Sequence, residues 1–123
     1  MRCIVTEADL YPFVFAILLR RFNGAKILFQ PPGRGPRPDF VVELGGRRIA
    51  VEVKLYVGRR TCKQIETYEE LYDEVCVAAP AKFASKFKGV CFIPLPVEPP
   101  PYRPRGAGTV KKEEEIREPA TES

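Results

Sequence analysis

Asp39, Glu52 and Lys54 are the side chains from which a reactive site could be assembled. Two carboxylates held close repel, and a divalent cation between them removes the repulsion. A lysine alongside offers a partial remedy. Composition excludes most other chemistries. The 123 residues include no histidine, so imidazole catalysis and His-ligated metals are out. Serine occurs only at Ser85 and Ser123, neither in a nucleophile elbow. Cys3, Cys62, Cys76 and Cys91 are spaced 59, 14 and 15 apart, with no C-x-x-C pair for zinc or redox work. They are expected as buried core cysteines. Carboxylates, lysine, arginine and tyrosine remain, and these suit an oxygen-ligated hard cation such as Mg²⁺.

Two strands must bring the carboxylates together. Residues 39–44 (DFVVEL) and 47–55 (RRIAVEVKL) flank Gly45-Gly46, a strong hairpin signal. That loop sets Leu44 opposite Arg47, Glu43 opposite Arg48, Val42 opposite Ile49 and Asp39 opposite Glu52. Opposed side chains share a face, with Cβ atoms roughly 5 Å apart. Lys54 shares that face with Glu52. The other face, with Phe40, Val42, Leu44, Ile49, Val51, Val53 and Leu55, is expected to be the core. An E-x-K triplet alone says little, and a surface salt-bridge cluster would use the same residues. Asp39 opposite Glu52, beside Lys54 and after a strand-opening Pro38, is far more specific.

The remaining elements alternate. Leu10, Phe13, Val14, Ile17 and Leu18 recur at helical spacing over residues 9–22. Thr6 with Asp9 resembles a capping box, though Pro12 argues for a late start to regular hydrogen bonding. Asn23-Gly24 ends the helix. Residues 25–30 read as a strand and 31–37 as a loop. Residues 61–73 read as a helix, 74–80 as a strand, 81–87 as a short helix and 89–94 as a last strand. The order αβββαβαβ predicts an α/β domain with a mixed sheet and helices packed on it. The domain is expected over residues 1–95. Residues 96–123 are expected as a proline-rich, charged, extended tail.

Pro38-Asp39, twelve intervening residues and Glu52-Val53-Lys54 resemble the PD-(D/E)xK nuclease superfamily. The resemblance covers roughly residues 3–94 and implies a restriction-endonuclease-like αβββαβ core. It implies Mg²⁺ bound by Asp39, Glu52 and the Val53 carbonyl, with Mn²⁺ able to substitute. It implies that Lys54 positions or activates the attacking water. An acidic residue on the first helix completes many such sites. Glu7 matches it best, and Asp9 competes. Gln64 and Tyr68 look like the Q-x-x-x-Y motif of RecB-type nucleases, though an ordinary amphipathic helix would also use them. No iron–sulfur cluster is expected, because the cysteines are not gathered near the C-terminus, and no zinc. The fold also resembles archaeal Holliday-junction resolvases, which implies a homodimer and a role in DNA repair or recombination. The acidic residues Glu66, Glu69, Glu70, Asp73 and Glu74 depart from that pattern.

Charge fits a polyanionic partner and, equally, a solvated basic face. Residues 20–63 hold 11 basic and 3 acidic residues, a net of +8 in a chain of net +4. Arg34, Arg37, Arg47, Arg48, Arg59, Arg60 and Lys63 are the candidate DNA-backbone contacts. The expected function is Mg²⁺-dependent hydrolysis of DNA, whether duplex, single-stranded or branched. The alternative is a catalytically silent nuclease fold that binds nucleic acid or serves a larger complex, with the tail engaging a protein partner. No apolar run suits a membrane and no signal pattern opens the chain, so a cytoplasmic location is expected. Few amides, one methionine and plentiful arginine and proline fit a thermophile, in which an intracellular disulfide becomes admissible.

Overall fold

A computed structural model describes residues 5–99. Cys3 and nearly all of the expected tail lie outside the described residues. Helix α1 (Glu7–Arg21) opens on the expected capping box. The Thr6 hydroxyl accepts from the Asp9 N–H at 3.3 Å, and Asp9 Oδ2 accepts from the Thr6 N–H at 2.9 Å. Leu10, Val14 and Leu18, four apart, are its buried stripe. The helix begins earlier than Pro12 suggested and carries that proline inside. The N–H it lacks would have gone to the carbonyl of Ala8, an exposed residue where water can replace it.

Five strands follow: β1 (Lys26–Phe29), β2 (Phe40–Leu44), β3 (Arg47–Val53), β4 (Glu74–Pro80) and β5 (Cys91–Leu95). Helix α2 (Arg59–Leu71) links β3 to β4, and a 3₁₀ helix (Ala81–Lys86) links β4 to β5. The sheet order is β1-β2-β3-β4-β5. The first three strands are antiparallel, and β3, β4 and β5 are parallel. The expected α/β class and mixed sheet are therefore present. The short helix after β4 is 3₁₀ rather than α.

The register across Gly45-Gly46 is the one derived above: Leu44 with Arg47, Glu43 with Arg48, Val42 with Ile49. The expectation of a single core face needs correcting. One core packs Leu10, Val14 and Leu18 of α1 on Phe40, Val42, Ile49, Val51 and Val53. A second packs Ile65 and Tyr68 of α2 on Ala50, Val75, Val77 and Ala79. Parallel strands joined by crossovers are covered on both faces, so β3 is buried nearly throughout. Leu44, expected in the core, is 39 % exposed at the hairpin end.

The cysteine expectation is also corrected in part. Cys76 and Cys91 are register partners on β4 and β5, 4.4 Å apart at Cα, and form a disulfide. Cys62 is a half-buried free thiol. The bond closes a loop with a sequence separation of 15. A loop of that size is worth about 3 kcal/mol. Urea unfolding with and without reductant is expected to differ by that order, and a Cys76→Ala/Cys91→Ala variant should not respond to reductant. Superimposed wild-type curves would show that the staple contributes nothing. No helix among the described residues is long and apolar enough to cross a membrane.

Candidate metal site

The ladder between β2 and β3 stops just short of Asp39. Phe40 pairs with Val51. Continued by one step and by two, that register would set Asp39 opposite Glu52 and buried Pro38 opposite Val53. A proline has no N–H to give the Val53 carbonyl, so regular pairing cannot continue. Asp39 takes over the strand end with its side chain. Its Oδ2 accepts from the Val53 N–H at 2.8 Å, and its Oδ1 accepts from the Tyr11 hydroxyl at 3.1 Å. The N–H and C=O of one strand residue point to the same side, so the Val53 carbonyl faces the Asp39 edge.

Glu52 is only 5 % exposed. Its Oε2 lies 3.5 Å from Lys54 Nζ. Its Oε1 is buried with no hydrogen-bond partner among the described residues. A buried, unpaired carboxylate oxygen is costly unless something cationic meets it. Burial first, and then the charge of Asp39, push the Glu52 carboxyl up to about 7, against the pull of Lys54 and Tyr68. Burial also raises Asp39, opposed by the Val53 N–H, the Tyr11 hydroxyl and Lys54. Two carboxyls thus share a dry site that is short of positive charge.

Helix α2 supplies the wall over Glu52. Tyr68 is fully buried, and its hydroxyl accepts from Gln64 Nε2 at 3.3 Å. Burial, followed by the Glu52 charge, holds that hydroxyl above its ordinary range, so it stays a neutral donor. Gln64 and Tyr68 therefore touch one another, and the Tyr68 hydroxyl acts on Glu52 electrostatically without hydrogen-bonding its Oε1. Helix α1 supplies the other wall. Glu7 Oε2 accepts from the Leu55 N–H at 3.1 Å, while Asp9 is occupied in the exposed capping box. The geometry brings Glu7, rather than Asp9, to the end of β3. Among the described residues no group of three or more His, Cys, Asp or Glu is gathered to hold a metal ion. The acidic core of the site is the Asp39–Glu52 pair.

Tyr11 was not foreseen. Burial and Asp39 push its hydroxyl up to about 12, so it remains a donor to that carboxylate. The available signal was its position four residues after Glu7, on the same helix face.

The basic residues divide into two groups. Lys54, Arg60 and Lys63 line an open cleft of about 500 Å³ with Pro36, Thr61, Gln64 and Thr67. Exposed Arg59 stands beside it at the start of α2, and Arg34 and Arg37 lie in the exposed loop leading to Asp39. Arg47 and Arg48 are elsewhere. They open β3, roughly 16 Å of strand from Glu52 for Arg47. Arg47 pairs with Glu74 at 2.8 Å; Arg48 lies 3.6 Å from Glu43 and over the Tyr72 ring. They are not brought to the site.

The donor set fits a hard cation: the carboxylates of Asp39 and Glu52 and the Val53 carbonyl are all oxygen, with an orphaned Oε1 awaiting a partner. Comparison with known protein families and with curated proteins finds no match.

Proposed function

We propose that the chain is a Mg²⁺-dependent nuclease that hydrolyses DNA phosphodiester bonds on a restriction-endonuclease-like core of the PD-(D/E)xK type. The observation that carries this reading is the buried Glu52 oxygen without a partner, beside Asp39 and 3.5 Å from Lys54 at its other oxygen. A protein using these groups only as a salt bridge gains nothing from burying Glu52 beside a second carboxylate. Asp39, Glu52 and the Val53 carbonyl would hold the cation. Mg²⁺ there supplies Lewis-acid polarisation of the phosphate and a more acidic water.

The chain's own residues do the rest. Lys54 reaches both the carboxylate pair and the cleft, so it can hydrogen-bond the attacking water and a phosphate oxygen. Tyr68, itself held by Gln64, walls the Glu52 side of the site, and the Tyr11 hydroxyl fixes Asp39. Arg60 and Lys63 hold the flanking backbone by charge, with little sequence preference.

The test is cleavage of labelled linear duplex, single strand, flap and four-way junction, each with Mg²⁺ or EDTA, using wild type and Asp39→Ala purified identically. Mg²⁺-dependent cutting lost in the variant is the expected result. Salt-sensitive binding without cutting of any substrate would point instead to a silent fold acting as a binding module.

Tyr11→Phe provides a separate check on the assembly. Partners one step from a metal ligand are worth about 10- to 100-fold in metal affinity. The Mg²⁺ midpoint for thermal stabilisation is expected to rise by that factor, with a loss of about 1 kcal/mol in cation-free stability. An unchanged midpoint would remove Tyr11 from the site.

A further inference from the structure

We propose that the site takes single-stranded DNA, with phosphates in the Lys54–Arg60–Lys63 cleft and a base stacked on Phe29 beside Tyr11. The inference rests on the nuclease reading and narrows its substrate. Phe29 ends β1 and is 50 % exposed, although it is a large apolar residue. The Tyr11 ring meets it edge-on with centroids 5.1 Å apart. The hydroxyl of that same Tyr11 holds Asp39 Oδ1. An exposed aromatic ring is therefore one side chain removed from the carboxylate pair.

The backbone ties the two together. Phe29 pairs with Phe40, the residue after Asp39, and the Gln30 N–H donates to the Asp39 carbonyl at 2.8 Å. Gln30 does so at φ 45, in the left-handed region that a glutamine rarely adopts. Strain of that kind is kept where the surrounding structure over-determines it.

The basic cleft lies on the α2 side of the carboxylates and the aromatic pair on the α1 side. A single strand offers both walls what they fit: a line of phosphates and a free base face. A positively charged groove with an exposed aromatic platform is the arrangement that single-strand binders use. A duplex keeps its base faces stacked and offers Phe29 nothing.

Helix α2 adds an argument against duplex. Its exposed residues are basic at the start (Arg59, Arg60, Lys63) and acidic further on (Glu66, Glu69, Glu70). Glu70 lies about 15 Å along the axis from Arg60. A duplex across the cleft would carry a second line of phosphates toward that like charge.

The experiment is fluorescence anisotropy in EDTA with the full chain, using labelled oligothymidine and a hairpin duplex. Wild type, Phe29→Ala, Phe29→Tyr and Arg60→Ala are compared, with circular dichroism confirming the fold of each. Wild type is expected to bind the single strand at least about tenfold tighter than the duplex. Phe29→Ala is expected to lose about 5- to 100-fold for the single strand and nothing for the duplex, and Phe29→Tyr to retain binding. Arg60→Ala should weaken both and lower the salt dependence.

Equal or tighter duplex binding, or a folded Phe29→Ala variant with unchanged single-strand affinity, overturns the proposal. Sedimentation of the same samples tests the rival occupant. A wild-type dimer that Phe29→Ala dissolves would mean a second copy covers the ring, with exposed Phe15 and Leu19, and would also overturn it. The parallel Mg²⁺ assay separates the two readings. Asp39-dependent cutting of duplex without single-strand preference overturns this inference and leaves the nuclease standing. Phe29-dependent single-strand binding without any cutting supports this inference and overturns the nuclease.

Discussion

Asp39→Ala is expected to slow Mg²⁺-dependent cleavage at least about 1000-fold, the rate equivalent of roughly 4 kcal/mol of lost charge stabilisation. The fold should survive. The substitution strips the Val53 N–H and the Tyr11 hydroxyl of their acceptor, at about 1–3 kcal/mol for each group left unsatisfied. It also removes the charge that helps drive the Glu52 carboxyl up to about 7, and that relief works in the opposite direction. DNA binding should be unchanged or tighter, because a negative charge leaves the side of a cationic cleft. Single-turnover cleavage at saturating protein, read beside anisotropy, separates the two steps. Wild-type rates in the variant would sink the assignment of Asp39, and lost binding would show a structural role instead. Asp39→Asn keeps one acceptor oxygen. It should therefore show the same loss of rate with a smaller loss of stability.

The sequence made local geometry legible and long-range geometry only partly so. Gly45-Gly46 fixes the hairpin, and a hairpin fixes register, so Asp39 could be set opposite Glu52 by counting. The Thr6–Asp9 box is equally local. Tyr11 against Asp39, 28 residues away, depends on how α1 lies on the sheet, which no spacing along the chain reveals. The Cys76–Cys91 bond depends on the offset between two parallel strands joined by a crossover, and Cα partners there follow from packing rather than turn chemistry.

Arg47 and Arg48 illustrate a different failure. They belong to the same basic segment as Arg60 and Lys63, but charge counted along a sequence ignores the length of β3. That strand carries them to the far end, where Glu74 and Glu43 meet them. The second core was written in the near-continuous apolar run of β3, which is a pattern of strands covered on both faces. Glu52 interrupts that run. In a strand buried nearly throughout, the one interruption is the residue that structure alone does not explain.

Glu52→Gln is expected to stabilise the cation-free protein while removing its activity. The ordinary carboxyl value for this group is 4.5, and the folded environment moves it to about 7. A raised carboxyl favours the folded state while it is protonated. That stability is fully present below pH 4.5 and is lost as pH rises through 7. The change is on the order of 3 kcal/mol, or about 10 °C in melting temperature for a domain of this size. In EDTA the wild type should melt progressively lower as pH rises toward 8, and Glu52→Gln should flatten that decline and melt higher at alkaline pH. Lys54 keeps an oxygen acceptor in the amide, so the exchange need not strand its charge. Under the proposed role Mg²⁺ should reverse the order, because a cation would bind the ionised form. It should raise the wild-type melting temperature more at pH 8 than at pH 6 and leave Glu52→Gln unmoved. Parallel pH profiles for the two proteins in EDTA would show that burial does not strain Glu52. Equal Mg²⁺ stabilisation of both would show that the orphaned oxygen is not where the cation sits. A residue that weakens its own fold in the absence of a cation, and is relieved by one, is what a metal ligand held in a dry site must be.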